Sequence, residues 1–157
     1  MSARLVWYFA YGSNLAPERF AARVGAWRAR LPATLPGWAL RFSAEVSSEG
    51  GAGAMIVPEP GAATFGAVYR ISLAQLHALD REEFAPSRDP AARGVRRRVR
   101  VQTDAGPHDA ETYTIPAPGT PGRPSERYLG FILRGLEAAG HPAAVLEEVR
   151  DSAGARP

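Results

Sequence analysis

The first apolar run of the chain, Leu5–Ala10, is continuous, carries β-branched and aromatic residues, and stops at a cluster of turn-forming residues. This pattern is typical of a buried central strand. A short helix is predicted to follow, because Pro17 suits a first helical position and Glu18 suits the positive end of a helix. Gly25 is predicted to end that helix.

The rest of the chain alternates between short apolar runs typical of strands and amphipathic stretches typical of helices. Strands are predicted at Trp38–Ser43, Ala54–Val57, Thr64–Arg70, Arg96–Gln102 and Glu111–Ile115, with turns at Pro58–Gly61 and Asp104–Gly106. Helices are predicted from Ser72, in a capping-box pattern with Gln75, to about Glu83, from Ser125 to Gly140, and after Pro142. Loops are predicted at Phe84–Gly94 and Pro116–Pro124, and a frayed tail at Ser152–Pro157. Strands that mostly neighbour in sequence, with helices inserted, predict an α+β fold on a small mixed or closed β-barrel with flanking helices.

Length and composition limit the number of domains and the chemistry that the chain can carry. A chain of 157 residues is the size of one domain, so residues 1–157 are predicted to form a single unit. There is no cysteine, which excludes disulfides and thiolate chemistry. The run Leu5–Ala10 is too short for a signal peptide or a membrane span, so the sequence predicts a cytoplasmic protein with no membrane partner.

The segment Tyr11-Gly-Ser-Asn-Leu15 lies between the first strand and the first helix, where several backbone N–H groups can point outward together. Such an arrangement binds an anion. Gly12 permits a close backbone approach and a positive φ, and Asn14 tolerates a left-handed conformation. An ordinary strand-to-helix turn explains the same residues. The segment lacks the Gly-Lys-Ser/Thr of a phosphate-binding loop, which disfavours nucleotide binding.

Two acids of the second predicted helix face inward. With roughly 100° of rotation per residue, Glu83 and Asp80 fall on the same side as the leucines of that helix, whereas Glu82 falls outside. A carboxyl group turned toward apolar residues has a raised pKa, as a general acid or base near neutral pH requires. Geometry leaves both acids as candidates, and Glu83 is a solvated loop residue if the helix ends before it.

The segment Tyr8-Phe-Ala-Tyr-Gly-Ser-Asn-Leu15 resembles the signature of the γ-glutamylcyclotransferase-like family, which includes γ-glutamylamine cyclotransferases and the butirosin-biosynthesis deprotecting enzyme. Four further segments resemble the family in the same order: Ala54–Val57, Phe65–Ile71, Leu79–Glu83 and Pro124–Tyr128. The resemblance covers about Leu5 to Gly140, nearly the whole domain.

This resemblance implies a cofactor-independent enzyme that cyclises a γ-glutamyl group to 5-oxoproline and releases an amine. It implies that Glu83 transfers the protons and that the backbone of Tyr11, Gly12, Ser13, Asn14 and Leu15 holds the small-molecule γ-glutamyl substrate. Tyr128 is implied as a substrate contact, although packing on the apolar face of its helix explains it equally well. A homodimer is left open.

The sequence departs from the family pattern beside the expected pocket. Phe84 stands where the family usually has glycine, Val95 or Arg96 replaces a tyrosine that commonly opens the next strand, and the loop Ala85–Gly94 is longer. These departures are expected to affect the choice of leaving amine.

The sequence also bears on three other functions. Arg96, Arg98 and Arg100 would point to one face of a strand and could contact the phosphates of a nucleic acid, but a charged solvent face explains them more simply, and no nucleic-acid partner is predicted. The three histidines lack ligand spacing, which argues against a metal site. A non-catalytic module that binds a small molecule on the same fold would share the pocket and differ only in turnover.

Overall fold

The computed structural model describes residues 4–84, 94–115 and 119–154. Its strands are β1 (Leu5–Ala10), β2 (Ala29–Ser48), β3 (Gly51–Ser72), β4 (Val95–Thr103) and β5 (Gly106–Thr114). Its α-helices are α1 (Pro17–Val24), α2 (Leu73–Phe84), α3 (Glu126–Ala139) and α4 (Ala143–Ser152), and a 3₁₀ turn covers Ser13–Leu15.

The five strands form a closed barrel in the order β1-β3-β2-β4-β5. All pairs are antiparallel except β1 with β5, which run parallel and close the barrel at Tyr8 and Glu111. The mixed, closed barrel with flanking helices that the sequence predicted is confirmed. The first strand is central, as predicted, because it pairs with both β3 and β5.

The long hairpin of β2 and β3 differs from the prediction. Three separate strands were predicted in this region, but β2 already begins at Ala29 and β3 runs through the predicted Pro58–Gly61 turn. The turn residues produce an irregularity instead, because pairing jumps from Pro36 with Ala63 to Trp38 with Pro58. The chain reverses at Glu49 and Gly50, whose φ values of 53° and 82° suit a two-residue hairpin turn.

Side chains of β1 alternate between two buried clusters. Tyr8 belongs to an aromatic cluster that also contains Phe20 and Tyr69, whose rings stack with centroids 3.9 Å apart. Phe9 points to the other cluster, with Val68 among its members. The period-2 alternation of a strand therefore places Tyr8, but not Phe9, on the side where α1 and α3 pack.

Helix ends agree with the predicted caps. The Ser72 hydroxyl accepts a hydrogen bond from the Gln75 N–H (3.1 Å), and the Gln75 side chain accepts one from the Ser72 N–H (2.9 Å). Ser125 caps α3 by accepting from the Tyr128 N–H at 3.1 Å, and Gly140 ends it in the left-handed conformation. These local rules fix where α2 and α3 begin.

Part of the predicted frayed tail contacts the rest of the fold. Ser152 is the last residue of α4, Ala153 is buried, and the Gly154 carbonyl accepts a hydrogen bond from Arg123. Residues 155–157 lie outside the described residues. None of the helices in the described part of the chain is long and apolar enough to cross a membrane.

Candidate active site

A cavity of about 520 Å³ opens beside the end of β1, between the 3₁₀ turn, the end of α2 and the start of α3. It is lined by Tyr8, Tyr11, Gly12, Ser13, Asn14, Arg23, Glu45, Val46, Glu49, Ala54, Glu82, Glu83, Gly94, Tyr113, Ile115 and Tyr128. The structure thus brings together six of the seven predicted site residues. The exception is Leu15, which is fully buried in the core.

The loop after β1 lines this cavity and has unpaired backbone donors. Within the described residues, the N–H groups of Gly12, Ser13 and Asn14 have no hydrogen-bond partner. Unpaired N–H groups near a helix start attract an anion. Gly12 does not adopt the positive φ that glycine permits, since its φ is −107°. The expected close approach is present, because a Cβ at Gly12 would lie 3.2 Å from the Tyr128 hydroxyl.

Hydrogen bonds hold Asn14 at three points. Its side-chain oxygen accepts from Arg23 at 2.6 Å, and its side-chain amide donates to the Tyr8 hydroxyl at 3.0 Å. Its backbone carbonyl accepts from the Tyr69 hydroxyl at 2.8 Å. Asn14 is 4% exposed, so these contacts fix the loop rigidly against the aromatic cluster.

Glu83 lies on the last turn of α2, which extends through it, so it is not a loop residue. Burial raises the pKa of its carboxyl group above the ordinary value, and the nearby charge of Glu82 acts in the same direction. The Arg23 guanidinium opposes both effects. Gly94 lies across from the carboxyl group, since a Cβ there would be 3.6 Å from Oε2 of Glu83. A carboxyl group with a raised pKa inside a cavity is suited to proton transfer.

Asp80, the other inward acid of α2, has structural partners. Its Oδ1 accepts a hydrogen bond from the Tyr113 hydroxyl at 2.6 Å and lies 3.3 Å from Nε of Arg96. Asp80 does not line the cavity. The structure therefore distinguishes the two acids that helical geometry left as candidates, because Glu83 lines the cavity and Asp80 does not.

A model of the family described as "Gamma-glutamyl cyclotransferase, AIG2-like" matches residues 8–130. The chain belongs to this family. A curated relative, the gamma-glutamyl cyclotransferase aclK of Aspergillus oryzae, is 30% identical over 169 residues and covers 94% of this chain. The chain spans 61% of the length of that relative.

Solved structures agree with this family assignment. A gamma-glutamyl cyclotransferase superimposes with a TM-score of 0.82 at 27% identity, over 94% of this chain and 87% of the other. An uncharacterized human protein superimposes with a TM-score of 0.79 at 27% identity, over 93% and 86% of the two chains. The curated relative and the first of these structures are γ-glutamyl cyclotransferases, which are enzymes, so the predicted resemblance is confirmed.

The departures from the γ-glutamyl cyclotransferase pattern are only partly within the described residues. Of Val95 and Arg96, the two candidates for the position of a common family tyrosine, Arg96 pairs with Asp80, and neither lines the cavity. Gly94 lines the cavity wall. The Phe84 side chain and residues 85–93 lie outside the described residues.

The four tyrosines that line the cavity of this γ-glutamyl cyclotransferase family member differ in what their hydroxyl groups do. The Tyr11 hydroxyl donates to the Tyr113 carbonyl (2.6 Å), and the Tyr113 hydroxyl donates to Asp80. By contrast, the Tyr8 and Tyr128 hydroxyls accept, from Asn14 and from the Ala54 N–H (3.0 Å) respectively. The Tyr128 ring belongs to the buried cluster, as one explanation predicted, and the residue also lines the cavity; its contact with a substrate stays a prediction.

Sequence reasoning missed Arg23 and Tyr8 as members of the cavity wall. Tyr8 was within the quoted motif but was assigned only to a buried strand. Arg23 lies nine residues beyond Asn14, on α1, and no short spacing connects the two. Only the packing of α1 against the loop after β1 brings this guanidinium to the site.

The positive charges of the arginines on β4 are partly neutralised by carboxylates within the protein. Arg96, Arg98 and Arg100 lie 3.3, 3.5 and 3.0 Å from carboxylate oxygens of Asp80, Glu111 and Asp109. Among the described residues, no group of three or more histidine, aspartate or glutamate side chains is placed to hold a metal ion. His141 instead contacts the Gly66 carbonyl at 2.7 Å, and His108 stacks on Trp7.

Proposed function

We propose that this protein is a γ-glutamyl cyclotransferase that converts a γ-glutamyl amide into 5-oxoproline and a free amine, with Glu83 as the general acid and base. The observation that carries the proposal is the position of Glu83. Its carboxyl group, with a raised pKa, lies in the same cavity as the three unpaired N–H groups of the loop after β1.

The reaction is an intramolecular aminolysis. The α-amine nitrogen of the γ-glutamyl group attacks its own γ-carbonyl carbon, so one C–N bond closes the lactam ring while the γ-amide C–N bond breaks. Because nucleophile and electrophile belong to one short chain, holding that chain bent supplies a proximity effect of up to about 7–11 kcal/mol. The protein must therefore supply mainly orientation, proton transfer and charge stabilisation.

Glu83 carries the proton between the two nitrogens. Its carboxylate takes one proton from the substrate α-ammonium, and the resulting acid gives that proton to the departing amine. The second proton that this nitrogen must lose before it becomes the lactam N–H goes to solvent or to the released amine. A carboxyl group with its pKa raised toward neutrality serves both steps better than an ordinary glutamate, because proton transfer is efficient in both directions.

The loop after β1 is proposed to hold the substrate's α-carboxylate. The N–H groups of Gly12, Ser13 and Asn14 can donate to its oxygens, and the Arg23 charge favours an anion nearby. Tyr128 is proposed to contact the substrate through its hydroxyl proton, which is donated to no acceptor among the described residues. Burial raises the pKa of Tyr128 to about 12, so that the proton is retained at neutral pH.

The proposal is tested by incubating the purified protein with a panel of γ-glutamyl amino acids and γ-glutamyl amines. Release of 5-oxoproline, followed by mass spectrometry, is expected for at least one member, with stoichiometric release of the amine. Binding of 5-oxoproline without turnover of any panel member would instead support a non-catalytic module. Loss of turnover in Glu83→Gln separates the protein's own activity from a contaminant.

The acidic limb of the pH–rate profile should respond to the neighbours of Glu83. Turnover needs the Glu83 carboxylate, so kcat/KM is expected to rise as pH increases through its raised pKa. Since Glu82 raises that pKa and Arg23 lowers it, Glu82→Gln should move the limb to lower pH and Arg23→Met should move it to higher pH. Shifts in the same direction for both variants would contradict this assignment.

A further inference from the structure

The contact with Arg23 determines which end of the Asn14 side-chain amide is the oxygen and which is the NH₂ group. A guanidinium group has donors and no acceptor. The Asn14 atom that lies 2.6 Å from Arg23 must therefore be the carbonyl oxygen, and the other end of the side chain must be the NH₂ group. Arg23 thus fixes the orientation of the Asn14 amide.

This orientation determines the role of Tyr8. The Asn14 NH₂ group can only donate, so the Tyr8 hydroxyl oxygen, 3.0 Å away, must accept. The single hydroxyl proton of Tyr8 is consequently available for another acceptor. Within the described residues no protein group accepts it.

The surroundings of Tyr8 direct that proton to the cavity. Its ring is 4% exposed and is packed against Phe20, Tyr69 and Tyr113, with ring centroids 5.9–6.3 Å away. The Tyr8 hydroxyl contacts Asn14, and Tyr8 also lines the cavity. Burial, followed by the charge of Glu83, raises the pKa of Tyr8 far above its usual value. Tyr8 and Glu83 line the same cavity, and Tyr8 keeps its proton at neutral pH.

We propose that the Tyr8 hydroxyl donates a hydrogen bond to the γ-carbonyl oxygen of the substrate, with Asn14 and Arg23 as the positioning residues that keep it a donor. This inference rests on the proposed function. As the α-amine attacks, the C=O bond loses its π pair to oxygen, and Tyr8 stabilises that charge without giving up its proton. When the γ-amide C–N bond breaks, the carbonyl re-forms.

The γ-carbonyl oxygen is the better acceptor on geometric grounds. Glu83 must reach the α-amine and the leaving amine, which are both attached to the γ-carbonyl carbon in the tetrahedral intermediate. A donor that lines the same cavity as Glu83 can therefore reach the oxygen on this carbon. The unpaired amides of Gly12, Ser13 and Asn14 remain for the carboxylate at the other end of the substrate.

Tyr8→Phe tests the role, because it removes the donor and keeps the ring. We expect kcat to fall about a hundredfold with KM nearly unchanged, since the hydrogen bond strengthens in the transition state. Tyr113→Phe, which removes a hydroxyl already donated to Asp80, is the matched comparison and should lose thermal stability with a much smaller fall in kcat.

Asn14→Asp tests the same bond while leaving Tyr8 in place. Both oxygens of the introduced carboxylate accept, so the Tyr8 hydroxyl is expected to donate to it and to be withdrawn from the substrate. Measured at its pH plateau, Asn14→Asp should lower kcat at least about tenfold. Combining it with Tyr8→Phe should lower kcat little further, because both substitutions remove the same hydrogen bond to the substrate.

The possible outcomes are distinct. A wild-type protein that releases no 5-oxoproline from any panel member overturns the proposed function and this inference together. If the wild type is active, two results overturn this inference alone. One is a Tyr8→Phe variant with wild-type kcat, and the other is a double variant in which the losses in kcat of the two single variants multiply. If Tyr8→Phe fails to fold, unchanged kcat in Asn14→Asp overturns it instead.

Discussion

Glu83→Gln is expected to lower kcat about a hundred- to ten-thousand-fold, the usual contribution of a positioned general acid or base. The glutamine side chain has nearly the same shape and cannot carry a proton between the two nitrogens. Because burial disfavours the charged form of Glu83, the neutral amide should not reduce stability. The measurements are initial rates of 5-oxoproline release and the melting temperature.

Glu82→Gln is the matched control for this result. Glu82 is the adjacent acid on the same helix, is exposed, and lies at the rim of the same cavity. It should keep kcat at its pH plateau within about threefold, since an exposed charge contributes little. Equal losses in the two variants, or full activity in a folded Glu83→Gln, would remove Glu83 from the mechanism.

Gly135→Ala is expected to impair both folding and activity. A Cβ at Gly135 would lie 2.3 Å from the backbone carbon and oxygen of Leu15, and Arg30 bridges the Leu15 and Gly135 carbonyls at 2.7 and 3.0 Å. Neither backbone can yield without moving α3 or the loop that carries the unpaired N–H groups. We expect a loss of about 1–3 kcal/mol in the free energy of unfolding, as for overpacked cores, and at least about tenfold in kcat/KM from a displaced loop.

Gly130→Ala in the same helix provides the comparison. There the three atoms nearest to the new Cβ all belong to the guanidinium of Arg134, with Nη1 at 2.7 Å, which is the end of a flexible side chain. Its effect should be neutral or stabilising by up to about 1 kcal/mol, because alanine favours helix over glycine. Chemical denaturation of both variants checks the contrast, and equal stability changes would mean that the Leu15 contact does not limit the fit of α3.

Local patterns predicted those parts of the fold that depend on neighbours in sequence. The caps at Ser72 and Ser125, the central strand at Leu5–Ala10 and the closed mixed barrel all match the structure. The full length of the β2–β3 hairpin was not predicted. Its prolines and glycines are typical of loops, but pairing between the two strands holds them in extended structure. Propensity is weak evidence wherever long-range pairing supplies the hydrogen bonds.

The sequence by itself determined that the loop after β1 and an acid near the end of α2 belong to one family pattern, because both lie in short contiguous motifs. The resemblance already favoured Glu83, but only the tertiary structure showed that Asp80 is held by partners from β4 and β5 whereas Glu83 lines the cavity. It also decided which tyrosine hydroxyls keep a proton for the cavity. That property depends on which group each oxygen meets across the fold, and no spacing along the chain encodes it.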